Sequence, residues 1–261
     1  MIITQSKLTK EIKMSEEDND ESHGHGPQGL IWDGQNYSCA YDSVMTILLS
    51  VWSQDPAKWK RQFKNMNRTM NLLATGFHKA NEGQMTLETA RNKVRHLLHQ
   101  RNPLFPHGQG GTSVSEMSEQ LLRSDNIIAS NWVRCVDCGH KDNLNKDLQT
   151  CVLQYSDQNI TTSTCLQKGF QEHYPRRKCE HCDSALNKVM HFDVIPEALV
   201  FSISDPSIQV SKEISFCDGG SLVKGVVYHG DFHYTTQICT GGSICSMMAW
   251  FLDGNAHMKK D

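Results

Sequence analysis

Three residues that lie far apart in the chain have the types that nucleophilic hydrolysis requires: Cys39, His233 and Asp253. Cys39 follows Ser38, a good helix N-cap, so we expect the thiol in a first helical turn, where the helix dipole favours a thiolate. His233 lies between two strand-like runs and can serve as a general base near neutral pH. Asp253, just before Gly254, could orient that imidazole. Cysteine, histidine and acid in this order indicate a cysteine-nucleophile hydrolase.

Each of these residues also has an ordinary structural interpretation. Cys39 alone could be a small buried thiol of a core helix, and Asp253 alone could be a turn residue. His229 competes with His233 for the role of base. An unbroken strand would put both histidines on one face, whereas Gly230 makes a turn between them equally plausible.

An oxyanion that develops during acyl transfer would need hydrogen-bond donors close to Cys39. The backbone N–H groups of the first helical turn point to the required position. The side-chain amide of Gln35 or of Asn36, just upstream, could supply a further donor. The sequence leaves open which of the two does so.

Two C-x-x-C pairs separated by forty residues form the second chemical feature, and their members are Cys135, Cys138, Cys179 and Cys182. Each pair can present two thiolates in a tight turn, and two such turns complete a tetrahedral Zn²⁺ site. We therefore expect one structural zinc ion, because a closed four-sulfur site has no open position for catalysis. Redox pairing and free buried thiols are the alternatives, and the spare ligands are His140, His173 and His181.

The first half of the chain is predicted to be mostly helical. Apolar residues at i, i+3, i+4 and i+7 from Val44 make one helical face after Cys39. Asp55-Pro56 should begin a second helix, 86–98 reads as a third, and the capping box that opens at Ser113 should start a fourth.

The second half consists of short β-branched or aromatic runs separated by turn residues. These runs are 132–134, 151–154, 189–194, 199–203, 222–228 and 234–238. Helices followed by a largely antiparallel sheet predict an α+β fold.

Composition and charge narrow the function further. The 261 residues carry a formal net charge of −3, which favours neither nucleic acid nor anionic membrane, and the apolar runs are too short to span a bilayer. We expect residues 1–27 to be a disordered acidic tail and residues 28–261 to form the catalytic domain, with 132–190 as a zinc-ribbon finger insert. The start of the chain lacks a secretory pattern, so we expect a cytoplasmic or nuclear protein whose ten cysteines are ligands and thiols rather than disulfides.

Four blocks of the chain together resemble the ubiquitin-specific protease superfamily of papain-like cysteine peptidases. They are the cysteine segment at 29–48, the paired-cysteine finger at 135–182, the strand-like block at 196–203, and the histidine segment at 222–238 with 250–254 behind it. The Trp32-x-x-x-Asn36-x-x-Cys39 spacing is similar to the SUMO isopeptidase-like branch. The resemblance implies a helical thumb, an antiparallel palm and zinc-held fingers.

By the same resemblance, Cys39 is the nucleophile, His233 the base and Asp253 the orienting acid. The chain departs from the family pattern in three places. Gly34 stands where the family has asparagine, Ala40 follows the cysteine in place of an aromatic residue, and Phe232 replaces the glycine before His-Tyr.

The leading hypothesis is a thiol isopeptidase or peptidase that acts on conjugates of ubiquitin or a ubiquitin-like modifier such as SUMO. A catalytically degenerate fold that only binds a modifier or partner is the second hypothesis. A zinc-ribbon accessory protein for nucleic acid is the third, and the negative net charge argues against it.

Overall fold

A computed structural model describes residues 2–5, 29–150, 152–155, 171–174, 176–194, 196–203, 213–216, 219–230, 233–240 and 243–247. Its helices precede most of its strands, as the α+β prediction requires. The helices are α1 (Cys39–Gln54), α2 (Pro56–Met66), α3 (Arg68–Asn81), α4 (Leu87–Arg101) and α5 (Val114–Leu122), and a 3₁₀ turn spans Gly34–Asn36.

Side-chain caps explain where several helices begin. Asp55 accepts a hydrogen bond from the N–H of Lys58 at the start of α2, and Pro56 occupies the first helical position. Thr86 and Ser113 cap α4 and α5 in the same way. The sequence predicted these starts, whereas α3 was not predicted at all.

The strands form two sheets. The larger sheet contains seven strands: β1 (Ile2–Gln5), β4 (Val152–Tyr155), β7 (Ala198–Ile203), β8 (Glu213–Phe216), β9 (Gly219–Gly230), β10 (His233–Thr240) and β11 (Ser243–Met247). Their order is β11-β10-β9-β1-β7-β4, and β8 also pairs with β9. The second sheet has the order β3-β2-β6-β5 and contains β2 (Ala129–Cys135), β3 (Lys141–Leu148), β5 (Gln171–Tyr174) and β6 (Leu186–Phe192).

Three details differ from the prediction. Residues 2–5, assigned to the acidic tail, form β1 and pair antiparallel with both β7 and β9, because the sheet supplies partners on either side; residues 6–27 lie outside the described part. The second sheet extends from Ala129 to Phe192, beyond both bounds of the predicted finger 132–190. β4 lies inside those bounds but runs parallel to β7 in the larger sheet. The larger sheet therefore contains a parallel strand pair as well as antiparallel ones, whereas an antiparallel palm was expected.

The largest hydrophobic cluster lies around α1, which is buried along most of its length between the other helices and the larger sheet. A close approach fixes α1 against the sheet: a Cβ added to Gly225 of β9 would lie 2.6 Å from the side chain of Ile47. Among the described residues, no helix is both long enough and apolar enough to cross a lipid bilayer.

Candidate active site and metal centre

Cys39 is the first residue of α1, in the first helical turn as the sequence predicts, and it is partly exposed. The residue before it, Ser38, stands at the N-cap position but makes no side-chain cap. Its hydroxyl instead donates to Oδ2 of Asp42 at 2.5 Å and accepts the N–H of Asp33 at 2.7 Å. The free N–H groups of the first turn are consequently not consumed by the Ser38 side chain.

The first turns of α1 face the start of β10. Ser43, one helical turn after Cys39, donates its hydroxyl to the backbone carbonyl of Tyr234 at 3.4 Å. Residues four apart lie on one helix face, so Cys39 shares the face of α1 that carries Ser43. That strand begins at His233.

His233 is half-buried, and its ring meets the indole of Trp32 edge to face, with the ring centroids 4.9 Å apart. Trp32 belongs to the segment that leads into Cys39. A Cβ on Gly34 would lie 2.8 Å from the Trp32 ring, which explains why glycine occupies this position. The structure therefore brings the cysteine segment and the histidine strand together.

The other candidate base occupies a different place in the same hairpin. β9 ends at Gly230 and β10 begins at His233, so the two histidines do not share one unbroken strand. His229 is exposed, pairs with Tyr234 across the hairpin, and packs its ring 4.8 Å from the Tyr234 ring. Asp253, the predicted orienting acid, lies outside the described residues.

The two oxyanion candidates, Gln35 and Asn36, lie in the 3₁₀ turn that precedes Cys39. Gln35 is exposed, whereas Asn36 is half-buried and donates its side-chain amide to Oδ2 of Asp33 at 2.7 Å. This hydrogen bond lowers the pKa of Asp33. Of the two amides, only that of Asn36 is held in place by a neighbouring side chain that the structure describes.

Two arginines of α4 that the sequence analysis did not single out lie behind this turn. Arg91 and Arg95 are almost fully buried. Arg91 occupies a position on the apolar face of α4, three residues before Val94 and four after Leu87. A charged residue on an otherwise apolar helix face was the signal that could have identified it.

The four cysteines of the two C-x-x-C pairs come together, with all four sulfurs within 4.8 Å of one another. Cys135 and Cys182 sulfurs are 3.4 Å apart, and those of Cys138 and Cys179 are 3.6 Å apart. Tetrahedral Zn²⁺ with ~2.3 Å bonds requires sulfur separations of about 3.8 Å. The cluster thus fits a closed four-sulfur metal site in the described part of the chain.

The local backbone explains why the sulfurs converge. Each pair is followed by a residue in the left-handed region, Gly139 at φ 72° and Asp183 at φ 57°. The N–H of Cys135 donates to the carbonyl of His140, and the N–H of Cys179 donates to that of Ser184, which closes each turn. Two similar turns from opposite ends of the insert therefore point their thiols at one another.

Hydrogen bonds shift the pKa values of the two exposed thiols of the cluster in opposite directions. The hydroxyl and N–H of Ser184 lower the pKa of Cys182 to about 6. At Cys138 the backbone N–H of His140 acts in the same direction, but hydrogen bonding with Cys135 and the other thiols outweighs it and raises the pKa to about 12. Four sulfurs this close cannot all ionise without a positive ion between them.

The chain was compared with known proteins. No family model matches it, and no curated protein matches it. It is similar to the solved SAGA Ubp8/Sgf11/Sus1/Sgf73 DUB module bound to ubiquitin aldehyde, with a TM-score of 0.52 and 12% identity, covering 84% of this chain and 65% of that chain. The chain thus spans slightly less than two thirds of that structure's chain.

Two further structures are similar at lower scores. A second structure of the Ubp8 module has a TM-score of 0.47 and 12% identity, covering 90% of this chain and 67% of that one. The papain-like protease of MERS coronavirus has a TM-score of 0.43 and 14% identity, covering 85% and 59%. At identities this low, similarity bears on the fold alone.

The architecture agrees with that similarity. Helices α1–α5 form a thumb, the larger sheet forms a palm, and the four-cysteine cluster lies in a finger sheet between them along the chain. The chain therefore shares the fold of the chain that it matches in the Ubp8 DUB module.

Proposed function

We propose that this protein is a thiol-dependent peptidase or isopeptidase that removes ubiquitin or a ubiquitin-like modifier from protein conjugates. One observation carries the proposal: α1, which begins at Cys39, is hydrogen-bonded through Ser43 to the residue that follows His233. A thiol at a helix N-terminus beside a histidine is the arrangement that activates a cysteine nucleophile. The Ubp8 fold adds support, since the Ubp8 module in question was solved with ubiquitin aldehyde.

In the proposed reaction, His233 takes the proton of the Cys39 thiol, and the thiolate attacks the carbonyl carbon of the modifier's C-terminal glycine. The backbone N–H groups at the start of α1 and the amide of Asn36 would stabilise the oxyanion. As the tetrahedral intermediate collapses, the C–N bond breaks and the lysine amine leaves with the proton from His233. Water, deprotonated by His233, then hydrolyses the thioester and releases the modifier as a carboxylic acid. Asp253 remains the proposed orienting acid.

A Zn²⁺ ion held by the four finger cysteines would stabilise the fold of the finger and take no part in the reaction. Thiolate ligands persist in a reducing compartment, so we propose that the protein acts in the cytoplasm or nucleus. The partners that we propose are protein conjugates of ubiquitin or a ubiquitin-like modifier.

Covalent capture tests the proposal. Ubiquitin, SUMO and other ubiquitin-like modifiers that carry a C-terminal propargylamide are each incubated with the wild-type protein, and adducts are read by intact-protein mass spectrometry. We expect one adduct on wild type and none on Cys39→Ala. Cys239→Ala is the matched control, because this partly exposed thiol lies on β10 and should not be needed.

Two results would contradict the proposal: absence of an adduct with every modifier, or an adduct that persists in Cys39→Ala. Binding of a free modifier by wild type without any adduct or cleavage would support the non-catalytic alternative instead.

A further inference from the structure

The turn that leads into Cys39 is held from behind by the two buried arginines of α4. Arg91 and Arg95 are four residues apart, so they lie on one helix face. Their residues are 1% and 3% exposed, respectively. Burying two guanidinium groups is costly unless each finds specific acceptors. Several of the acceptors here belong to the segment before Cys39, and the others are Asn92, Asp42 and Gly108.

Arg91 ties together both ends of this segment. Its Nη1 donates to the carbonyl of Ile31 at 2.8 Å and to Oγ of Ser38 at 3.2 Å. The same nitrogen donates to Oδ1 of Asp42, in the first turn of α1, at 2.6 Å. Nη2 lies 3.8 Å from Oδ2 of Asp33. The beginning and the end of the 33–38 turn are thus attached to one rigid group.

Arg95 holds the middle of the same turn. Its Nη2 donates to the backbone carbonyl of Asn36 at 2.7 Å and to that of Gly108 at 3.0 Å. The guanidinium also lies over the ring of Tyr41, 4.7 Å from the ring centroid. The position of the Asn36 backbone is therefore set by α4 and by the 103–111 loop together.

The side chain of Asn36 depends on this backbone. Its amide donates to Oδ2 of Asp33, while the N–H groups of Gln35 and Asn36 donate to Oδ1 of the same carboxylate. Tyr37, which follows, has a φ of 48°, a conformation that a tyrosine adopts only where its surroundings impose it. The turn is strained at this residue, and the two arginines provide contacts that keep it closed.

We propose that Arg95, with Arg91 behind it, is a positioning residue that fixes the Asn36 amide as the oxyanion donor of the reaction. This inference rests on the proposed function. Because the arginines act through the turn and do not touch the substrate, loss of Arg95 should impair the transition state more than modifier binding.

The test compares variants of the full-length protein. Arg95→Met removes both hydrogen bonds, and Arg95→Lys keeps the charge and can restore one of them. Arg101→Met is the matched control, since Arg101 lies on the same helix but pairs with Thr69 and Asp125 away from the turn. The readouts are kcat and KM for a modifier with a C-terminal fluorogenic amide, and hydrogen exchange of residues 33–38.

We expect Arg95→Met to lower kcat by ~100-fold, the cost of a misplacement of about 1 Å, and to leave KM within ~3-fold. Exchange in residues 33–38 should accelerate at least ~10-fold relative to the rest of the chain. Arg95→Lys should recover part of the loss, and Arg101→Met should match wild type.

An unchanged kcat in Arg95→Met overturns the proposal. A second result would also overturn it: kcat stays low in Arg95→Lys, and hydrogen exchange in Arg95→Met is faster throughout the molecule. That result would mean that Arg95 only stabilises the fold. If Arg95→Met fails to fold, Arg95→Gln replaces it under the same criteria. If wild type captures no modifier, the proposed function fails, while exchange in residues 33–38 still decides whether Arg95 holds the turn.

Discussion

The indole of Trp32 and the imidazole of His233 meet edge to face with their centroids 4.9 Å apart, although 200 residues separate them in the sequence. This contact joins the segment before the candidate nucleophile to the strand that carries the candidate base. Together with the Ser43–Tyr234 hydrogen bond, it defines the two sides of the proposed cleft.

The choice between His233 and His229 can be tested directly. The two residues lie on neighbouring antiparallel strands in which His233 pairs with Gly230 and His229 with Tyr234, so their side chains point to opposite faces of the sheet. We expect only His233 to serve as the general base for Cys39. His233→Ala should lower kcat by ~10²–10⁴-fold, as loss of a general base does, and His229→Ala by less than ~3-fold.

Steady-state hydrolysis of a fluorogenic modifier amide gives kcat for both variants under one set of conditions. The reverse pattern would assign the role of base to His229. Equal and small effects from both variants would contradict a histidine base at this hairpin.

Removal of one finger sulfur should release the metal. Cys179→Ser replaces one buried cysteine of the cluster. We expect wild type to carry a single zinc ion and the purified variant to lose it. The apparent melting temperature should fall by roughly 5–10 °C, the shift expected for a loss of a few kcal/mol. Elemental analysis and a thermal melt measure the two effects.

Cys239→Ser, outside the cluster, should keep one zinc ion and the wild-type melting temperature. Purified wild type without any bound transition metal, and without uptake of Zn²⁺ on titration, would contradict the metal assignment.

The close approach of α1 to β9 makes Gly225 sensitive to added volume. A Cβ there would lie 2.6 Å from Ile47 and 2.9 Å from the carbonyl of Gln237. We expect Gly225→Ala to reduce the free energy of unfolding by ~1–3 kcal/mol and to lower kcat, because α1 must shift and carries Cys39 with it. Denaturant titration measures the first effect.

Two controls accompany this variant. Ile47→Val, added to Gly225→Ala, should recover part of the stability because it removes Cδ1, one of the two Ile47 atoms that an added Cβ would meet at 2.6 Å. Gly230→Ala, where a Cβ meets no atom within 4 Å, should change stability by less than ~0.5 kcal/mol. A Gly225→Ala protein as stable as wild type would show that the α1–sheet contact is adaptable.

Burial of Asp42 predicts an unusual pH dependence. Burial raises the pKa of this carboxyl above 3.8, and the opposing attraction of Arg91 does not cancel the effect. The folded state therefore holds the proton more tightly than the unfolded state, and stability is lost as the pH rises through the folded pKa. Relative to Asp42→Asn, the wild-type free energy of unfolding should fall as the pH rises above about 4.

Denaturant titrations between about pH 4 and 6 measure this difference. A difference that grows with pH would mean that the Arg91–Asp42 ion pair at 2.6 Å outweighs the cost of burial.

Local sequence was sufficient for the elements that depend on local physics. The apolar face that begins at Val44 indicated α1, although Ser38 does not cap it, and the metal cluster follows from two tight turns of fixed spacing. The start of α2 at Asp55-Pro56 was found for the same reason. The site residues on these elements could therefore be proposed before the structure was known.

Elements that depend on distant partners were missed. Helix α3 contains Gly76, a poor helix former, whose place is explained by Ala90 of α4: an added Cβ would lie 2.6 Å from the Ala90 Cβ. The burial of Arg91 and Arg95 likewise depends on acceptors in a segment about sixty residues away. No window of local sequence contains those partners.

Strand β1 has a consequence for the order in which the molecule assembles. Ile2 pairs with Val200 on one side and with Gly225 on the other, so the middle of the palm needs residues from both ends of the chain. Pairings with so great a sequence separation form late, because a long loop must close before any contact compensates for the lost entropy. During synthesis the thumb helices can therefore associate early, whereas β1 must wait until both β7 and β9 have been made before it finds its neighbours.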